Sequence, residues 1–176
     1  MRARIPGREK VIPKHTRDLV RDIIRNIELL TLIEDFDFGP RGRHGEDGRL
    51  QRYYDGMEKR LWKYETLYGD DTRAKNNAIR ERCLRSKVGY GDRHGSGGKV
   101  DLAIEHDNIM LIGLLTIRDD FKFGIKRIQR FFDGVERRIR YYNDTFEGHP
   151  EDVLSATQNR LEQYGAYFNR NVRTPA

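Results

Sequence analysis

The chain has 176 residues, 35% of them charged and 36% hydrophobic, with a net charge of +6 and a pI near 9.5. That length supports one domain with a real core or two small fused units, and the clustering of the apolar residues argues against general disorder. A single cysteine, Cys83, excludes an intrachain disulfide and a thiolate metal cluster, and fits a reducing cytoplasm.

Residues 1–15 read as a basic arm; "MRARIPGREKVIPKH" has no apolar h-region, so a secretory signal is not expected. Helical spacing of Leu19, Val20, Ile23, Ile24, Ile27, Leu30 and Ile33 predicts a helix over 16–36. It ends at "FDFG", where Gly39 suits a left-handed position after the helix. The stretch "DFDFGPRGRHGE" is superficially similar to a calcium loop, but Pro40 replaces the required glycine and Arg41 and Arg43 stand at ligand positions. A second helix is expected over 49–68, with Leu50, Tyr53, Tyr54, Met57, Leu61 and Tyr64 as its apolar stripe.

Residues 71–100 read as a basic, glycine-rich linker. Its first half has the composition of a short basic helix, and "GYGDRHGSGG" is a loop. A third long helix is expected over 102–121; its run "IMLIGLLTI" is too short to span a bilayer. Gly124 again suits the left-handed position. A helix over 125–146 carries the stripe Ile128, Phe131, Phe132, Val135, Ile139 and Tyr142, and a C-terminal helix follows Pro150 within 149–176.

Two parts of this series repeat. "LQRYYDGMEKRL" (50–61) matches "IQRFFDGVERRI" (128–139), and "NIELLTLIEDFDFG" parallels "LIGLLTIRDDFKFG". The domain reading is therefore a first two-helix unit over 16–70, the linker, and a second unit over 101–148. One helical hairpin leaves an apolar face uncovered, and two copies cover each other. The expected fold is all-α: a tandem repeat of a two-helix unit forming a pseudo-two-fold bundle, plus the C-terminal helix.

The repeated phrase also carries a repeated basic stripe. On a helical wheel Arg127, Arg130, Arg137 and Arg138 share a sector with Gly134; Arg49, Arg52, Lys59 and Arg60 share one with Gly56. Mid-helix glycine costs about 1 kcal/mol relative to alanine, so each copy needs a reason for it. Close helix packing or a break at Asp-Gly comes first, and approach of a phosphate backbone second. The stripe itself reads either as a solvated face whose arginine stems cover aromatic edges or as an anion-binding surface. Few acids interleave with it, and Lys126, Arg127 and Arg130 crowd a helix start, where the dipole disfavours cations; both features favour anion binding.

"LLTIRDDFKFGIKRIQRFF" (114–132) has spacing close to a helix-turn-helix, with Phe121, Phe123, Ile128 and Phe132 as anchors. Lys126 and Gln129 would then meet base edges, and the arginines phosphates. No metal site or cofactor is expected: the five histidines are scattered, and there is no phosphate loop or nucleophile elbow. "EHD" (105–107) reads as helix-start carboxylates, and Asp119 and Asp120 as the solvated end of a helix.

Phe121, Phe123, Gly124, Lys126, Arg127 and Arg130 form a segment that resembles small helical proteins of phages and prophages of Gram-positive bacteria. Lys122 stands where that pattern carries glycine. The resemblance covers about thirty residues in each copy and implies a mobile-element origin, with DNA binding, regulation or counter-defence as the usual tasks.

The expected function is non-enzymatic nucleic-acid binding, DNA ahead of RNA, through Arg49, Arg52, Lys59, Arg60, Lys126, Arg127, Gln129, Arg130, Arg137 and Arg138. Residues 73–99 add sequence-independent affinity. The second reading is an inhibitor docking on a host protein with an acidic or nucleic-acid-binding groove, such as a defence nuclease. The third is a metal-dependent nuclease using Asp119 and Asp120. A homodimer is compatible with the first two, and no membrane partner is expected.

Overall fold

The computed structural model describes residues 14–39, 48–88 and 100–168, with backbone alone for Val100 and Asp101. Most of the N-terminal arm, most of the insert after Gly39, the glycine-rich loop and the last residues lie outside the described segments. Among the described residues six helices follow in order: α1 (Lys14–Phe36), α2 (Arg49–Tyr68), α3 (Thr72–Arg85), α4 (Val100–Asp119), α5 (Ile125–Thr145) and α6 (Pro150–Gln163). There is no strand among the described residues, and the fold is all-α. No helix among them is long and apolar enough to cross a membrane.

Local chemistry explains several boundaries. Asp71 caps α3 by accepting from the Ala74 N–H at 2.9 Å. Pro150 opens α6, with Glu151 and Asp152 in its positive first turn. Helices α1 and α4 form the centre. Residues 24–32 of α1 and 107–117 of α4 are buried without interruption, so each is surrounded on all sides.

The covering helices cross over. α5 and α6 lie on α1, whereas α2 and α3 lie on α4. Helices adjacent in sequence, α1 with α2 and α4 with α5, touch far less. The expected tight helix-turn-helix over 114–132 is thus not a self-contained unit: α5 finds its apolar partner on α1. The first half of the expected linker, read as a short basic helix, is α3 and packs on the bundle. α3 buries Lys75, Asn76, Ile79 and Cys83 against the bundle, because its sparse apolar residues recur on one face.

α3 and α6 occupy corresponding places, one on α4 and the other on α1. A single offset aligns 48–88 with 126–166. At that offset Cys83 pairs with Leu161 and Val88 with Ala166, all buried. Lys87 pairs with Gly165, both at positive φ, 55° and 72°. Only Ala78/Ala156 and Arg82/Arg160 are identical within these two helices, too little to see in sequence.

The turns at the ends of α1 and α4 clasp each other. Phe36 packs on Phe123 at 5.2 Å between ring centroids, Phe38 on Phe121 at 5.0 Å, and Phe38 on Phe123 at 6.2 Å. The Phe38 N–H reaches back to the Leu32 carbonyl at 3.0 Å and the Phe123 N–H to the Ile117 carbonyl at 3.1 Å, so each helix end folds back over a left-handed residue. The left-handed residues are Asp37 (φ 54°) and Lys122 (φ 56°), not the glycines expected there. Gly124 instead precedes α5 in extended backbone, with φ −76° and ψ 171°. In each turn the residue just before the returning N–H is the left-handed one, and that is the x of F-x-F-G. Lys122→Gly should therefore stabilise the fold by about 0.5–1 kcal/mol, because the side-chain penalty at positive φ exceeds glycine's entropy cost. A chemical-denaturation midpoint checks this.

The half of the bundle away from the clasp is polar inside. Arg21 pairs with Glu65 and, at 3.7 Å, with Glu105; Arg25 pairs with Glu58. Asn76 donates to Asp107 at 2.8 Å and Asn108 at 2.9 Å, and Arg80 meets Asp107 at 2.5 Å. Glu105 and Asp107, expected as helix-start carboxylates, are buried members of this network. Cys83 is buried, and desolvation pushes its thiol up to about 12, so it is an inert core residue.

Candidate nucleic-acid interface

The repeated phrase is best understood position by position. Gly56 sits where an added Cβ would come 2.5 Å from Asp120 Oδ2, just past the end of α4, and 3.1 Å from Thr116 Cγ2 on α4. Gly134 sits where it would come 2.6 Å from Asp35 Oδ2 and 2.8 Å from Thr31 Cγ2, both on α1. Thr31 and Thr116 are fully buried and bond back to the carbonyls of Ile27 and Ile112, each at 2.8 Å, so neither is free to yield. Both helices run unbroken through their glycine. The glycine is there for close packing between units.

The last arginine of the phrase completes the same seam. Arg60 grips Asp120 with two bonds of 2.8 Å, and Arg138 grips Asp35 with two of 2.9 Å. Arg138 also holds Glu34 at 2.8 Å. Hydrogen bonds from Arg138 hold the Asp35 carboxyl below the usual range. Burial pushes Glu34 up, but its bonds from Arg138, Tyr164 and Arg160 together bring it lower. Arg82 and Arg160 add matching pairs, to Asp119 at 3.2 Å and to Glu34 at 3.1 Å. The stripe looks short of acids along each helix because its acids come from the other unit. Asp119 and Asp120 are arginine partners here. No group of three or more potential metal ligands occurs among the described residues.

Gly134→Ala should destabilise the protein by about 1–3 kcal/mol through overpacking, even though alanine is the better helix former by about 1 kcal/mol. Thermal unfolding distinguishes this from a glycine with open space beside it, where alanine would stabilise.

Arg52 and Arg130 of the phrase, with Arg49 and Arg127 just before it, lie over the phenylalanine clasp. Arg130 covers Phe36 at 4.9 Å, Arg49 covers Phe38 at 4.8 Å, Arg52 covers Phe121 at 5.3 Å and Arg127 covers Phe123 at 3.9 Å. All four are exposed, one on each ring of the clasp. Arg49 also donates to the Asp37 carbonyl and Arg130 to the Asp35 carbonyl, both at 2.6 Å. These contacts hold the guanidinium groups in place while they remain at the surface.

Beside the start of α5 runs an open groove of about 740 Å³, lined by Asp35, Ile125, Lys126, Gln129, Arg130, Asp133 and Arg137. Ile125 is 77% exposed there, unusual for a large aliphatic side chain. Neither α2 nor α5 has an acid in its first turn or a side-chain cap. Lys59 is exposed on α2, and Arg137 on α5 reaches Asp35 at 3.2 Å while most of its side chain stays in solvent.

Of the residues singled out in sequence, the structure thus brings Arg49, Arg52, Lys126, Arg127, Gln129 and Arg130 to the clasp end, with Lys59 and Arg137 farther along. It withdraws Arg60 and Arg138 into the seam. Residues that sequence reasoning missed are Asp35, Glu34, Asp119 and Asp120 as the seam's acids. The signal was an acidic pair at matching places in both copies, Glu34-Asp35 and Asp119-Asp120. No family model, curated protein or solved structure matches the chain.

Proposed function

We propose that this protein binds nucleic acid without catalysis, DNA ahead of RNA, through the arginine-covered clasp end of the bundle. The observation that carries this reading is the set of four exposed guanidinium groups, Arg49, Arg52, Arg127 and Arg130, each held on a ring of one contiguous phenylalanine cluster. Arginines already ordered on rings lose less freedom on binding phosphate than free ones do. The starts of α2 and α5, which carry no side-chain cap, add positive potential at the same end. A phage or mobile-element setting follows from the resemblance of the F-x-F-G-x-K-R segment and belongs to the same proposal.

The test is binding of a labelled mixed-sequence DNA duplex, followed by fluorescence anisotropy across salt concentrations. Affinity should fall log-linearly with salt, and removal of one phosphate-contacting arginine should lower the slope by about 0.9. Arg127→Ala with Arg130→Ala should weaken binding with the fold intact. Undiminished binding by that folded variant would overturn the reading.

A second reading, docking on a host protein, draws on Trp62 and Tyr141, which are 63% and 62% exposed and of the types that anchor protein interfaces. Such binding would respond weakly to salt.

A further inference from the structure

Packing accounts for most of what the two copies of the phrase share. The glycines, the final arginines and the ring-covering arginines all have structural duties. One shared pair does not. Gln51 donates to Asp55 at 2.9 Å on α2, and Gln129 donates to Asp133 at 2.8 Å on α5. Asp55, Gln129 and Asp133 are exposed and Gln51 is half-buried. Between the copies even core positions have changed, Tyr53 to Phe131 and Met57 to Val135, yet these surface residues are identical. A solvated bond one helical turn apart adds too little to helix stability to explain that.

We propose, resting on the nucleic-acid reading above, that the Gln51–Asp55 and Gln129–Asp133 pairs read base edges, and that the ligand is duplex DNA carrying an inverted repeat. Each pair lies in the first two turns of a helix that starts at the clasp, beside a ring-held arginine. A carboxylate there would repel a phosphate but would accept a hydrogen bond from an exocyclic amine. The Gln–Asp bond holds the amide in place and leaves the other carboxylate oxygen and the amide oxygen as acceptors. The matching bases are those with an amino group in the major groove, adenine or cytosine. Exposed Ile125 in the same groove suits a thymine methyl. The inverted repeat follows from reciprocity: α2 packs on α4 as α5 packs on α1, the relation that pairs a two-fold protein surface with a palindromic site.

The experiment is selection from a randomised duplex library with the full chain, then binding of the selected duplex and of a scrambled one by the wild type and by a Gln129→Ala, Asp133→Ala double variant. Selection should return an inverted repeat with adenine or cytosine at matching positions. The variant, having lost a carboxylate, should bind scrambled DNA at least as tightly as the wild type and lose roughly ten-fold or more on the selected duplex. Unchanged thermal unfolding of the variant shows that the fold is retained. Binding without sequence preference, a preference lacking inverted symmetry, or a variant that still discriminates fully would each overturn the inference and leave the nucleic-acid reading standing. No binding to any duplex or single strand at low salt would overturn both.

Discussion

Gly113→Ala is expected to destabilise the protein by about 2–3 kcal/mol, among the largest effects of adding one methyl group anywhere in the bundle. Gly113 lies in the middle of α4 against α1. An added Cβ would press into the carboxyl of Glu28 and come within 2.7 Å of the Tyr53 hydroxyl. Neither neighbour has room to move: Glu28 and Tyr53 are both fully buried, and the tyrosine donates to Glu28 Oε2 at 3.1 Å. In sequence Gly113 is the counterpart of Glu28, and Phe131 the counterpart of Tyr53. One unit supplies a carboxyl and a hydroxyl; the other supplies the space they fill. Glu28→Ala by itself should also destabilise, since it opens a cavity and leaves the Tyr53 hydroxyl without its acceptor. The double variant should then be markedly more stable than the sum of the two single changes predicts. Additive losses in denaturant titrations would show that Glu28 is not what excludes the methyl group.

The second large effect is on the pH dependence of stability. Burial pushes the Glu28 carboxyl well above its ordinary value of 4.5, and the Tyr53 hydrogen bond and the Arg25 charge only partly oppose this. The folded protein therefore holds a proton there that the unfolded chain releases. The stability contributed by this group is complete below the unfolded value and is lost as pH rises toward the folded one. Across that window the loss is about 1.4 kcal/mol for each pH unit. Glu28→Gln keeps an acceptor for Tyr53, has nothing to titrate, and should stabilise the protein by an amount that grows as pH rises from mildly acidic toward neutral. Asp35 and Glu34 act in the opposite direction. Their lowered values give stability that is present above the ordinary carboxylate range and lost as pH falls through their folded values. Glu28→Gln should thus flatten the neutral side of the profile and leave the acid side unchanged. Melting temperatures of both proteins across pH would sink the idea if their difference stayed constant.

How much of this was legible in the sequence differs from residue to residue. The apolar stripes placed four of the helices to within a few residues, because a core-facing helix must repeat its buried side chains every three to four positions, whereas the helix expected after Pro150 ends at Gln163, sooner than its sequence suggested. The duplicated phrase was visible because its identities are dense. α3 was harder to read: its apolar residues are few, and its agreement with α6 rests on Ala78 and Arg82, so only shared packing on the central helices relates them. The left-handed residues at the clasp were misplaced because glycine is the usual occupant of such a turn, and here Asp37 and Lys122 take it.

For the candidate site, the wheel grouped the basic residues of each helix but had no means of ranking them. Arg52 and Arg60 look alike in sequence. One lies over Phe121 in solvent, and the other is clamped on Asp120 beside Gly56. The sequence by itself determined that the chain is helical, that it repeats, and that its cations lie in stripes, since those properties follow from spacing along one helix. Which unit covers which, which arginines are neutralised, and where Glu28 finds its cavity were decided by the tertiary structure alone. Each depends on a residue far away in the chain. The covering helices cross to the opposite unit because α1 and α4 are apolar all round through their middles and need burial on every side.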